Sequence, residues 1–219
     1  MVEGHPFRDA PVRKLPSARI KPKVSRLAKF AGIGIVALIW NVVVGWQFTS
    51  AVSLGPFSAI AFVSLFVIVG LLLLGGAVHA LLAIFNPVVE LLVSVEQPAL
   101  AEILELRWRL VGRSSRVRLL QIDLEGTEEA TYTHGTDTVT DRHRFVHLTI
   151  IDTNDRAEIA DGTASIVIPV GGVPTFTAKN NKIVWRLVVH GDVPSWPDIK
   201  DEFPFEVVAH RRLRAKVAA

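Results

Sequence analysis

The chain has no cysteine. Disulfides, thiolate nucleophiles and cysteine-ligated zinc or copper are therefore excluded from its chemistry. Methionine occurs once, as Met1, which removes thioether ligation of copper as well. A third absence is local. Between residues 30 and 89 there is no Asp, Glu, Lys or Arg, in a chain that is 21% charged overall. An uncharged run of that length is suited to hydrocarbon rather than to water.

Two stretches inside the run are long enough to cross a bilayer. Residues 30–48 reach roughly 28 Å as a helix, against a hydrocarbon core of about 30 Å. Residues 60–82 are the most apolar part of a second stretch, 58–85, which reaches roughly 42 Å and so must tilt or protrude. The connection over residues 49–56 ends in the breaker Gly55-Pro56, so the spans are expected to be antiparallel. Residues 28–85 thus read as two transmembrane helices. A buried soluble hairpin is the competing reading, but the rest of the chain is too short to wrap it. A cleaved leader ending near Ala51-Val52-Ser53 is another. Against it, the basic lead-in and the apolar run both exceed the dimensions of a signal peptide.

The formal net charge of +3 hides an asymmetry. Arg8, Arg13, Lys14, Arg19, Lys21, Lys23, Arg26 and Lys29 precede the first span against only Glu3 and Asp9, so the remainder of the chain is net acidic. A basic patch on a folded surface is not indicated, and nucleic acid is not an expected partner. Basic residues beside a span are retained in the cytoplasm. None lies in the connecting loop, so two crossings place both termini there. Residues 1–27, with Pro6, Pro11, Pro16 and Pro22, are expected to form a disordered basic tail. Arg19, Lys21, Lys23, Arg26 and Lys29 are the candidates for contact with lipid headgroups. Residues 211–219 form a second basic tail. Inside the spans, Asn41 needs a hydrogen-bond partner, and Gly76 and Ala80 permit close helix contact, within the hairpin or in a homo-oligomer. His79 reads as an imidazole facing the headgroups, with a proton relay as the sharper alternative.

After Asn86-Pro87 the periodicity changes to two. Val89, Leu91, Val93 and Val95 share one face of an extended segment; so do Leu104, Leu106, Trp108 and Leu110, then Leu120, Ile122 and Leu124. Val146, Leu148 and Ile150 follow, then Ala164, Ile166 and Ile168, then Ile183, Trp185, Leu187 and Val189, and finally Phe203, Phe205 and Val207. Half-buried strands separated by Gly and Asn turns predict an antiparallel β-sandwich over residues 86–210, without a soluble helix.

The late strands carry a resemblance. Ile166-Val167-Ile168-Pro169, Phe176, Asn181-Lys182-Ile183-Val184-Trp185-Arg186-Leu187, Asp192-Val193-Pro194-Ser195-Trp196-Pro197-Asp198 and Phe203-Pro204-Phe205-Glu206-Val207 resemble the closing strands of an arrestin-like, immunoglobulin-like sandwich. That sandwich follows a transmembrane helix in a family of uncharacterised bacterial membrane proteins. The resemblance covers about residues 86–208. It implies a bacterial inner-membrane location and an adaptor role. Many such relatives hold a sizeable domain between the helices, where this chain has a short loop.

Catalytic motifs are sparse. Neighbouring residues on a strand face opposite ways, so Glu128 and Glu129 read as a solvated turn rather than an acid–base pair. Asp141, His143 and His147 share a face of a regular strand, but the two histidines lie roughly 13 Å apart there, too far for one metal ion. No cofactor and no catalytic residue is assigned. Trp196, held between Pro194 and Pro197, is the candidate partner-binding anchor, with plugging of the sandwich end as its other reading. The expected function is a non-enzymatic membrane adaptor that binds a protein through its sandwich. The alternative is a cofactor-free assembly factor or accessory subunit of a membrane complex.

Overall fold

The computed structural model describes residues 18–209 except Thr136, without the side chains of Leu54 and His134. The bulk of the expected N-terminal tail and all of the C-terminal one lie outside the described residues. In chain order the elements are β1 (Ala18–Ile20), α1 (Arg26–Leu54), α2 (Phe57–Ile84), β2 (Val88–Val93), β3 (Ile103–Val111), β4 (Leu119–His134) and β5 (Asp137–Thr153). They continue as α3 (Arg156–Ala160), β6 (Asp161–Val167), β7 (Phe176–Thr177), β8 (Asn181–Asp192) and β9 (Ile199–Phe205). One 3-10 turn, Ser114–Arg116, lies between β3 and β4. The architecture is a helical hairpin followed by an antiparallel β-sandwich.

Both helices overrun the expected spans. The Ser25 hydroxyl caps α1 by accepting from the Ala28 amide at 3.1 Å. The Thr and Ser residues near the other end do not break the helix, because each hydroxyl donates back to its own backbone. Thr49 and Ser50 both reach the Trp46 carbonyl, and Ser53 reaches that of Thr49 at 2.8 Å. The reversal comes only at Gly55, where a Cβ would lie 2.7 Å from the Ala51 carbonyl oxygen, followed by the Pro56 cap of α2.

The hairpin is zipped at its middle. Asn41 Nδ2 donates to the Ala37 carbonyl of its own helix and, at 3.1 Å, to the Gly70 carbonyl across the hairpin. Gly70 is what permits the approach, since a Cβ there would stand 2.5 Å from Asn41 Oδ1. Ala37 and Ala77 complete the buried seam. Elsewhere the helices turn their apolar side chains outward, with Trp46 75% and Leu72 72% exposed.

The sandwich inverts that arrangement. One sheet runs β1-β2-β3-β6. The other runs β5-β4-β8, with β7 and β9 sharing the far edge of β8. All these pairings are antiparallel. The core between the sheets holds Leu91, Leu104, Leu106, Trp108, Leu120, Ile122, Leu124, Trp185, Leu187 and Phe203, all essentially inaccessible. Trp108 lies over Gly162, where any Cβ would collide with its indole, and donates to the Glu158 carbonyl at 2.9 Å. Trp185 donates to the Val173 carbonyl at 2.8 Å and meets Phe145 edge-on at 5.5 Å between centroids.

Two expectations are corrected here. Part of the presumed disordered tail is a strand, since Ala18, Arg19 and Ile20 pair with Val93, Leu92 and Leu91. The three-residue length is too short to show a period, but Ile20 packs against the core. The sandwich also holds a short helix, α3, begun by the Asp155 carboxylate accepting from the Ala157 amide at 2.7 Å. Its only fully buried side chain is Ile159, so no apolar face marks it in the sequence.

Candidate functional site: the seam between hairpin and sandwich

Three side chains, Arg26, Asn86 and Trp196, make polar links between the helix ends and the sandwich. Arg26, in the first turn of α1, donates Nη2 to Asp201 on β9 at 2.7 Å and Nη1 to the Asn86 carbonyl at 2.9 Å. A cation in a first helical turn opposes the helix dipole, so this carboxylate and carbonyl offset a local cost. The pair is largely shielded, with the Arg26 side chain 16% and the Asp201 side chain 9% exposed. Asn86, just past α2, sends its amide to the Pro197 carbonyl at 2.7 Å. Trp196 Nε1 donates to the Leu82 carbonyl in the last turn of α2 at 3.2 Å, as a second donor beside the Phe85 amide.

The Trp196 loop is tightly built. Ser195 holds φ at 60°, in the left-handed region. Pro197 is buried while Pro194 is exposed. The Arg116 guanidinium lies over the Trp196 ring, 5.6 Å from its centroid, within cation–π range. Between this loop and α2 is an open cleft of about 570 Å³, walled by Gly75, Val78, His79 and Leu82 on the helix side and residues 192–198 on the other. Trp196 thus meets the chain's own helix while lining an open cleft.

The other basic candidates divide. Arg19 pairs with Glu90 at 2.9 Å, and Lys23 with Glu202 at 3.5 Å, so sandwich carboxylates engage them as they engage Arg26. Lys21 and Lys29 have no carboxylate in salt-bridge range among the described residues. Asn41 sits at the middle of the helix contact. Gly76 lies nearer one end and faces α1, where a Cβ would be 3.8 Å from Ile33; Ala80, one turn on, is half-buried.

On the outer face of the larger sheet, β4 carries a row of shielded acids. Asp123, Glu125 and Glu129 are buried, and cations from the two flanking strands cover the two glutamates, while Gln121 donates to Asp123. Arg144 and Arg186 clasp Glu125 at 2.8 and 3.0 Å, while Arg142 and Lys182 clasp Glu129 at 3.2 and 2.8 Å. Burial pushes the Glu125 carboxyl up, but the hydrogen bonds and charges of Arg144 and Arg186 together outweigh it and hold it below the ordinary range. The Lys182 hydrogen bond leads in lowering Glu129, helped against burial by the charges of Lys182, Arg142 and Lys23. On the smaller sheet Asp161 is lowered by its hydrogen bond from Arg107, then by that from Arg109, against burial.

This overturns the solvated-turn reading of Glu128 and Glu129. Both lie inside β4, and only Glu128 is exposed. The turn comes later because β4 and β5 continue as a long ribbon to His134 and Asp137. The histidine expectation changes as well. A register shift leaves Phe145 unpaired between Val146 and Arg144, which reverses the alternation of β5. His143 therefore lies opposite Glu128, whereas His147 lies opposite Glu125 on the other face, with Nε2 3.6 Å from Asp123. Among the described residues no three His, Asp or Glu side chains gather as a metal site. Arg116, Asp201 and the buried row on β4 were missed from sequence. The signal present was the alternation of Asp123, Glu125 and Glu129 with Ile122 and Leu124.

No family model matches the chain, and a search of curated proteins finds none similar to it. Among solved structures, the chain is similar to Spo0M, a sporulation control protein from Bacillus subtilis, at 11% identity and a TM-score of 0.40. The similarity covers 57% of this chain and 50% of that one.

Proposed function

We propose that the chain is a two-pass protein of a bacterial cytoplasmic membrane, with both termini in the cytoplasm, whose sandwich serves as a non-enzymatic docking module for another protein. The observation that carries the reading is the inversion between the two parts. The hairpin presents its apolar side chains outward, Phe57 at 84%, Trp46 at 75% and Leu72 at 72% exposed, while the sandwich buries its own. Outward apolar helix surface of this extent is stable in lipid, not in water. The pairing of β1 with β2 supports the shared side of the two flanking segments, because they meet in one sheet.

The end of the sandwich away from the helices supports the docking half. Ile103 and Val167 pair across β3 and β6, and with Val170 and Phe176 they are all more than half exposed. Exposed apolar side chains of this kind mark protein contacts when they cluster. The test is crosslinking in intact cells with the Val170→Asp, Phe176→Asp double variant. Loss of a crosslinked partner with the protein still in carbonate-washed membranes supports the reading. An unchanged partner set excludes this end as the docking surface, and release of the wild-type chain by carbonate removes the membrane reading.

A second reading, as a cofactor-free accessory subunit or assembly factor of a membrane complex, draws on a different feature. An open groove of about 580 Å³ runs along the hairpin, walled by Val36, Trp40, Val43, Phe62 and Phe66. An apolar helix of another membrane subunit suits such a groove. Under this reading Trp40→Ala and Phe66→Ala, not the distal double variant, weaken co-purification in mild detergent.

A further inference from the structure

Nearly every cation along the body of the sandwich is matched. Arg107 and Arg109 share Asp161, and Arg142, Arg144, Lys182 and Arg186 enclose the acids of β4. The cations without a carboxylate in salt-bridge range among the described residues are distributed differently. Lys179 lies at the far end, one residue from Asn180, whose carbonyl receives the Thr131 amide of the β4–β5 ribbon. Lys21, Lys29, Arg113, Arg116, Arg156 and Lys200 all lie toward the end that meets the helices. Register explains the grouping. Val88 pairs with Val111, and Leu119 with Asp192, so the loops after β3 and β8 sit beside the start of β2, directly past the end of α2.

Arg116 is the best placed of these. Its guanidinium is exposed and stacked on Trp196, and Trp196 is tied to Leu82 of α2. The cation is thereby held near the last turn of the helix, against the Trp196 ring that lines the 570 Å³ cleft. Below it the helix side of the cleft is apolar, formed by Gly75, Val78 and Leu82, with His79 as its polar exception. The two acids of the cleft are already engaged, Asp192 by Arg118 at 2.5 Å and Asp198 by the Val193 amide at 3.3 Å.

We infer that this cleft binds one membrane phospholipid, with the headgroup phosphodiester on Arg116 beside Trp196 and an acyl chain along the Gly75, Val78 and Leu82 face of α2. The inference rests on the membrane reading proposed above. An oriented guanidinium next to an aromatic face recognises a phosphate, and the apolar wall selects a lipid over a soluble phosphate ester. The bound lipid would hold the sandwich end against the leaflet in one orientation.

The test is native mass spectrometry of the full-length chain released from detergent micelles containing phosphatidylglycerol. The wild type is expected to retain one lipid. Arg116→Gln should weaken retention about fivefold, the effect of one basic residue near a headgroup. Lys179→Gln removes the same charge at the opposite end and should leave retention unchanged. Equal retention by Arg116→Gln and the wild type would overturn the proposal. So would an equal loss in both variants, or displacement of the lipid by millimolar glycerol phosphate. Because Arg116 is exposed, the variant should keep the tryptophan fluorescence of the fold. A carbonate wash of membranes separates the two readings: Arg116→Gln is expected to stay in the pellet with the wild type, whereas release of both would sink the membrane reading itself.

Discussion

The hairpin and the sandwich use the same kinds of apolar residue in opposite ways. In the sandwich, Leu106, Trp108 and Trp185 are inside and cations line the outside. In the hairpin, the inside of the contact is Ala37, Asn41, Gly70 and Ala77, while the large side chains point out. On the membrane reading proposed above, the difference follows from solvent. In water the area hidden between two sheets drives association, at roughly 25 cal/mol per Å². In lipid that drive is missing between helices, so close backbone approach and a hydrogen bond matter more than large side chains. The same substitution should therefore have opposite weight in the two parts.

The largest effect is expected from Trp185→Ala in the sandwich. It opens a cavity and leaves the Val173 carbonyl unpaired, for a loss of roughly 3–5 kcal/mol in denaturant titration. Leu72→Ala in the hairpin, with the same detergent-solubilised protein, should stay within about 0.5 kcal/mol. Comparable losses would break the comparison. Next comes the seam between the two parts. Asp201→Ala strands Arg26 in a shielded position and should cost roughly 3 kcal/mol, read as faster hydrogen exchange at the start of α1 and in β9. Glu90→Gln, at the exposed pair with Arg19, should cost less than about 1 kcal/mol.

The charged face of the sandwich sharpens the contrast through pH, because the helical spans carry no carboxylate. Glu125, Glu129 and Asp161 sit below their ordinary values, so ionisation favours the folded form. This stabilisation is complete above the ordinary carboxylate range and declines as pH falls through it toward the lowered values. Melting of the sandwich, followed by near-ultraviolet dichroism, should therefore drop between about pH 5 and pH 3. Glu129→Gln should flatten that drop at a cost of roughly 1 kcal/mol near neutral pH. A small effect also belongs to Asn41→Leu. It removes the bond to Gly70 and should loosen the hairpin by about 0.6 kcal/mol, detectable as altered helix pairing by double electron–electron resonance.

What could be read from sequence depended on how many residues repeat a signal. The two apolar helices announced themselves because charge is missing over residues 30–89. The long strands did so because Leu104 to Leu110 and Ile183 to Val189 alternate over several residues. β1 offers three residues and no period, so Arg19 and Lys23 read as free tail charges although Glu90 and Glu202 receive them. Glu129 and the β5 histidines failed for another reason. Their faces depend on strand extent and on the shift at Phe145, which Gly126 makes room for, since a Cβ there would crowd the ring at 2.8 Å. The seam was opaque because its partners, Arg26 with Asp201 and Trp196 with Leu82, are far apart in the chain. Only the folded sheets bring them together.

The three residues of β1 also set an order of events for biogenesis. They precede the helices, yet their partner Val88–Val93 follows them. The edge can close only when synthesis has passed α2 and both flanks emerge on one side. Without that pairing, Leu91 to Val93 keep an open flank. Under the membrane reading proposed above, closure of this small clasp follows insertion of both helices.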